Sequence, residues 1–199
     1  MSPGVTRDAV CPYHPGDAII SKGTEMGKLT ALECRKFFDA VTEKANEMGV
    51  PVCMAVVDAA GHIIALERMD EAGWIGAEIA WGKAHTACAF RAMSPRFPDG
   101  LLIQQWFKER NPQMMMNSSV FTNGRIVASG GCAPIFQGDE MVGAYGISGG
   151  TSDQDEVMAR YARAKVGWAH MKKNDDTPED VKAHINELYS RIGLGDRSL

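Results

Sequence analysis

The side chains best suited to chemistry fall in three stretches. In Lys83-Ala84-His85-Thr86-Ala87 a helix of 100° per residue puts Lys83 on one face with Ile75, Ile79, Thr86 and Phe90. A lysine among apolar residues is costly to bury unless it meets a carboxylate or an anion. It is therefore either a carboxylate-binding or catalytic group, with Asp58 as its polar partner, or a structural one. In the structural case it snorkels to the surface or pairs with Asp58 or Glu67. His85 lies about 160° from Lys83 on the same helix, so both face one small pocket only across a subunit boundary. It is either a ligand-binding imidazole or a neutral one hydrogen-bonded near Glu78 and Trp81. His62, just after the turn Asp58-Ala59-Ala60-Gly61, is an exposed imidazole or a general base.

The second stretch, Gly146 to Asp155, sets Ser148, Gly149 and Gly150 between a strand and a helix N-terminus. Backbone amides there favour a carboxylate. Alternatively the glycines only allow a tight turn, and Asp153 and Asp155 answer the helix dipole. The third is the proline-rich segment 94–116. Met115, within Met114-Met115-Met116, is a pliable wall for a planar ligand or else part of the core. Arg91, Arg96 and Arg110 bracket this segment and could clamp carboxylates bidentately, or lie solvated. No HExxH or paired-histidine spacing occurs, so no zinc site is expected.

These residues need a scaffold, and 199 residues supply about one domain with extensions. At 45% apolar and 23% charged the chain is a globular type that buries about 70% of its unfolded surface. No run approaches the roughly 20 apolar residues of a membrane span, and the N-terminus shows no export signal. A net charge of −4 argues against broad nucleic-acid binding. Cys11, Cys34, Cys53, Cys88 and Cys132 are odd in number and form no C-x-x-C pair, so buried thiols in a reducing cytoplasm are expected.

Along the chain, 1–28 reads as an irregular N-terminal arm, 29–173 as the domain and 174–199 as a helical extension. Thr30 and Glu33 form a capping-box pattern ahead of Cys34, Phe37, Phe38, Val41, Ala45 and Met48, and Gly49 ends that helix. Val52–Val57 and His62–Arg68 predict a hairpin, and Ile75 to about Arg91 a helix. A short helix is predicted around Leu101–Lys108. Asn123-Gly124 predicts a hairpin between Ser119–Thr122 and Arg125–Ala128. A further hairpin joins Ala133–Phe136 to Met141–Ile147 through Gln137-Gly138-Asp139-Glu140. A helix capped by Thr151 or Ser152 then presents Val157, Tyr161, Ala164 and Trp168. A last helix from Thr177-Pro178 carries Val181, Ile185, Leu188 and Ile192, and Gly193 stops it. Tight turns demand antiparallel pairing, so the class is α+β with a mainly antiparallel sheet flanked by helices.

Three of these motifs carry a family resemblance. Met54-Ala55-Val56-Val57-Asp58-Ala59-Ala60-Gly61-His62 is similar to the first hairpin of the GlcG/HbpS family. Lys83-Ala84-His85-Thr86-Ala87 resembles its second-helix motif, where an aromatic more often replaces His85. Gly143-Ala144-Tyr145-Gly146-Ile147-Ser148-Gly149-Gly150 followed by Gln154-Asp155 resembles its last strand and helix start. The resemblance runs from about Leu29 to Val166. It implies a profilin-like domain with a five-stranded antiparallel sheet, assembled as a homo-oligomer. Some members bind haem, related domains sit beside corrinoid enzymes, and others belong to glycolate or aromatic-acid clusters. The segment 94–116, the inverted turn Gly138-Asp139 and the helix after Lys173 depart from the pattern.

The expectation is a haem or related small-ligand-binding protein. His62 or His85 would stand near iron, and basic groups or the Gly149-Gly150 amides near the propionates. Two alternatives stay open. One is a cofactor-independent hydrolase, deaminase or isomerase of a small unsaturated carboxylic acid from aromatic catabolism, using Lys83 and Asp58. The other is a structural assembly partner.

Overall fold

The computed structural model describes residues 28–93 and 96–191. Helix α1 (Ala31–Met48) begins on the expected capping box. The Glu33 amide donates to Thr30 Oγ1 at 3.2 Å, and the Thr30 amide donates to Glu33 Oε2 at 2.8 Å. Gly49, at φ +65°, ends it. Thr30→Ala is expected to cost about 1 kcal/mol in urea unfolding, because the first turn loses its side-chain acceptor.

Strands β1 (Cys53–Asp58) and β2 (Ile63–Arg68) form the first hairpin, and helix α2 (Ile75–Met93) follows. Later come β3 (Cys132–Gln137) and β4 (Glu140–Ser148), joined by a two-residue turn in which Gly138 takes φ +63°. The sheet order is β2-β1-β4-β3, antiparallel throughout. Both faces are covered. Met54, Val56, Ile135, Tyr145 and Ile147 meet α1 and helix α5 (Ser152–Val166), where the Phe37 ring contacts Tyr145 and Trp168 at 4.8 and 4.7 Å. Cys53, Ala55, Val57 and Ala144 meet α2. Two-sided burial explains why β1 is a continuous apolar run rather than an alternating one. On the α2 side Gly146 has no substitute, since a Cβ there would overlap the Ala80 carbonyl oxygen.

Four strands form among the described residues, not the five that the resemblance implies, and the expected hairpin over 119–128 is replaced by the end of a helix. Asn111 accepts the Met114 amide at 3.0 Å, and Pro112 opens helix α4 (Pro112–Phe121) directly after α3 (Gly100–Arg110). Thr122 Oγ1 donates to the Ser118 carbonyl at 2.7 Å. Asn123 and Gly124, at φ +53° and +80°, then stop the helix instead of turning a hairpin. Asn-Gly signals a positive-φ pair in either setting, and the upstream cap decides which.

The buried face of α5 also differs from the expected stripe. Asp155, Met158, Ala159 and Ala162 face inward, whereas Val157 is 46% exposed. Trp168, beyond the helix, does reach the core. The extra C-terminal helix is present as α6 (Glu179–Arg191), which packs Val181, Ile185 and Tyr189 on Leu102. The Leu188 side chain, Ile192, Gly193 and the arm up to Gly27 lie outside the described residues. No helix among the described residues is long and apolar enough to cross a membrane.

Candidate functional site

The expected site residues divide into two groups. The first surrounds the β1–β2 turn. Asp58 Oδ1 accepts the Ala60 and His62 amides, each at 2.9 Å, which fixes the turn. Partial burial raises the Asp58 pKa, but those two bonds together with the His62 side chain outweigh it and hold the carboxyl below its usual range. Its other oxygen lies 3.4 Å from His62 Nδ1, and the His62 side chain is 80% exposed. The second imidazole approaches from beneath. Gly61, at φ +85°, lies so close to His85 that a Cβ would come within 2.9 Å of the ring. Cys88, one turn on, donates its thiol to the Ala59 carbonyl at 3.2 Å.

Glu78, Trp81, His85 and Ala89 form the less buried stripe of α2, whose remaining faces meet the sheet and the chain over 125–129. His85 does not make the hydrogen bond expected for it, because its Nδ1 is buried without a partner, as is Trp81 Nε1. The Arg125 guanidinium lies over the Trp81 ring at 4.9 Å. Burial first, and then this cation, lower the pKa of His85, so its imidazole is neutral at pH 7. Sequence reasoning passes over Arg125 because its expected strand does not exist.

The second group is interior. Lys83, 2% exposed, donates from Nζ to the Ile147 carbonyl at 2.8 Å and to Asp155 Oδ2 at 2.7 Å. Neither Asp58 nor Glu67 is its partner. Asp58 pairs with Gly143 in the sheet, four residues along β4 from Ile147. Lys83 and Asp58 are therefore not brought together. Asp155 also answers the question about Gly149 and Gly150, since its Oδ1 accepts the Gly150 amide at 2.9 Å. The Thr151–Gln154 capping box takes further amides of that helix start. The anion at this N-terminus is thus the chain's own carboxylate. Ser148 is buried beside it, and a Cβ on Gly149 would overlap the Pro51 carbonyl oxygen.

Thr86 is fully buried, donating to the Gly82 carbonyl and accepting the Val127 amide, each at 2.7 Å. It clamps the 125–129 segment onto α2. Arg91 is buried over the Phe136 ring, where desolvation lowers its pKa against the pull of Asp175 and Asp176. Met115 packs on the aromatic group of Phe90, Phe97 and Phe107. The cysteines behave as small hydrophobes: Cys34, Cys53, Cys88 and Cys132 are buried and free, and burial pushes Cys34 and Cys88 up to about 11. Cys11 lies outside the described residues.

A network invisible to periodicity joins α3, α5 and α6. Glu156 Oε2 accepts the Gly131 amide at 2.9 Å and Glu156 Oε1 pairs with Arg160, whose guanidinium is also 3.5 Å from Asp99 Oδ2. Asp99 caps α3 through the Leu102 amide and accepts the Tyr189 hydroxyl at 2.5 Å.

Comparison with known proteins places this architecture. The family model described as haem-degrading protein HbpS-like matches residues 29–164. A 15.0 kDa protein of the dhaT–dhaS intergenic region of Citrobacter freundii is 33% identical over 144 residues, covering 72% of this chain and 95% of that one. The corrinoid adenosyltransferase PduO of Salmonella typhimurium is 28% identical over 146 residues, covering 73% of this chain but only 41% of PduO. Among solved structures, the PduOC:haem complex superposes with a TM-score of 0.61 at 26% identity, covering 72% of this chain and 98% of that one. The Klebsiella pneumoniae protein ORFY gives 0.61 at 27% identity, covering 75% and 98%. With the first hairpin, the α2 motif and the β4–α5 junction all inside the matched region, the chain belongs to the HbpS-like family.

Proposed function

We propose that the protein binds haem or a related planar ligand at the β1–β2 turn, with His62 as the iron ligand. The observation that carries this reading is the Asp58–His62 pair. A carboxylate 3.4 Å from Nδ1 orients a ring that is 80% exposed, the arrangement by which second-shell carboxylates position metal-binding histidines. His85, a neutral imidazole with an unpartnered nitrogen, lies under the same turn, and Arg125 supplies positive charge for a propionate. Bound haem would contribute an iron open to axial ligation; the protein's part is to hold and orient it. Membership of the HbpS-like family and the likeness to the PduOC:haem complex support the reading.

His62 projects from an open turn, so a second copy of the chain covers the exposed side of the ligand in this proposal. Titration with haem is expected to give a saturable, shifted Soret band at one haem per subunit or per dimer. His62→Ala should weaken binding by about tenfold or more and change the spectrum, the loss of one metal–ligand bond. Unaltered affinity and spectrum in His62→Ala would remove His62 as the ligand, and a merely additive spectrum of the wild type would remove haem.

A further inference from the structure

A second site lies away from the β1–β2 turn, between α3 and α6. A cavity of about 280 Å³ is walled by Phe97, Leu102, Trp106 and Val181. Its ring walls are edge to face, with Phe97 and Trp106 centroids 5.6 Å apart. Arg96 and Arg110 stand at its rim, with His184 and Asp180 contributed by α6. Leu102 and Val181 are buried, whereas Trp106 is 37% exposed, so the apolar floor is reachable from solvent. We propose that this cleft binds a small planar carboxylate with one aromatic or conjugated ring.

The chemistry selects that class in three steps. Volume comes first: 280 Å³ is at or below the lower end of ordinary ligand pockets, which suits a single ring and excludes a macrocycle. The walls come next, because aromatic edges and faces with aliphatic neighbours favour a flat apolar body. Charge is last. At the rim the exposed Arg110 guanidinium stands at the end of α3, across the cleft from Asp180 of α6. Arginine's planar fork favours a carboxylate over a neutral polar group. Asp180 opposes an anion near α6, which directs the ligand's carboxylate towards Arg110 at the end of α3. The wall formed by α6 lies beyond residue 164, where the family match ends, so this cleft is a feature of the chain's extension.

The probe is benzoate, followed through the indole N–H signal of Trp106 in a ¹⁵N spectrum of the full chain and identified among the four tryptophans with Trp106→Phe. Benzoate is expected to shift that signal saturably, and benzyl alcohol to bind at least about tenfold more weakly, the loss of one charge-assisted pair. Arg110→Gln should weaken benzoate by a similar factor while leaving benzyl alcohol unchanged. Arg110 is exposed, so the variant's melting temperature should match the wild type. A Trp106 signal that benzoate leaves unmoved would overturn the proposal. So would equal binding of benzoate and benzyl alcohol, or undiminished benzoate binding by Arg110→Gln. The haem titration reads a different part of the molecule, so either result stands without the other.

Discussion

Lys83→Met is expected to destabilise the folded state by about 3–5 kcal/mol, the cost of leaving one member of a buried ion pair without the other. Asp155 would keep only the Gly150 amide on its Oδ1, with Oδ2 facing the methionine thioether, and the Ile147 carbonyl would lose its donor as well. Solvent has little access to relieve this, since the two side chains are 3% and 2% exposed. Replacing both partners removes the uncompensated charge, so Lys83→Met with Asp155→Leu should recover much of the loss, limited by the orphaned Gly150 amide. Urea unfolding followed by circular dichroism measures both effects. A single variant within about 1 kcal/mol of the wild type would show that the pair contributes little. Because Lys83 ties α2 to β4 and α5 together, loss of ligand binding in this variant has to be compared with its stability before any direct role is assigned.

What is legible in the sequence follows from how local each cause is. The capping box at Thr30 and Glu33, the turn at Asp58 to Gly61 and the β3–β4 hairpin are decided by residues within a few positions of one another, and all three form as read. The helix over 112–121 escapes such a reading because Val120 and Phe121 favour strands, while Asn111 and Pro112, which decide the matter, stand about ten residues upstream. At the site, Asp58 and His62 are four residues apart and their proximity can be inferred. His85 reaches Gly61 only because α2 packs under the hairpin, and no spacing rule reports that contact. Lys83 does need a carboxylate, as its apolar neighbours imply, yet the one it meets is 72 residues away. Asp155 is visible as a helix-start acid, and it gains a second partner only because Lys83 of α2 reaches the start of α5 where that helix follows β4. The same limit hides Asp99 and Glu156, whose partners come from three helices.

Glu156→Gln is expected to change how stability depends on pH. Burial first, and then the nearby Asp99 carboxylate, push Glu156 up to about 7, against the opposing pull of Arg160 and the Gly131 amide. The unfolded value is near 4.5. Between those limits the folded state holds the proton more tightly than the unfolded one, so this group's contribution to stability is present at acid pH and is lost as pH rises through about 7. The shift corresponds to roughly 3 kcal/mol. His170 acts in the opposite sense. Burial, and then Arg163, Arg160 and Arg91, push it down to about 3, so its contribution is lost as pH falls below the unfolded value of 6.5. His85 has the same sign. These terms overlap in the wild-type melting curve and largely conceal each other, but they are common to the variant and cancel in the difference. The melting temperature of Glu156→Gln minus that of the wild type should therefore climb between about pH 4.5 and pH 7 and level off above. A difference that stays flat across that window, or slopes downward, would mean that Arg160 holds Glu156 ionised throughout. The Asp99–Arg160–Glu156 group would then be a permanently charged strut between α3 and α5 rather than one that stores a proton.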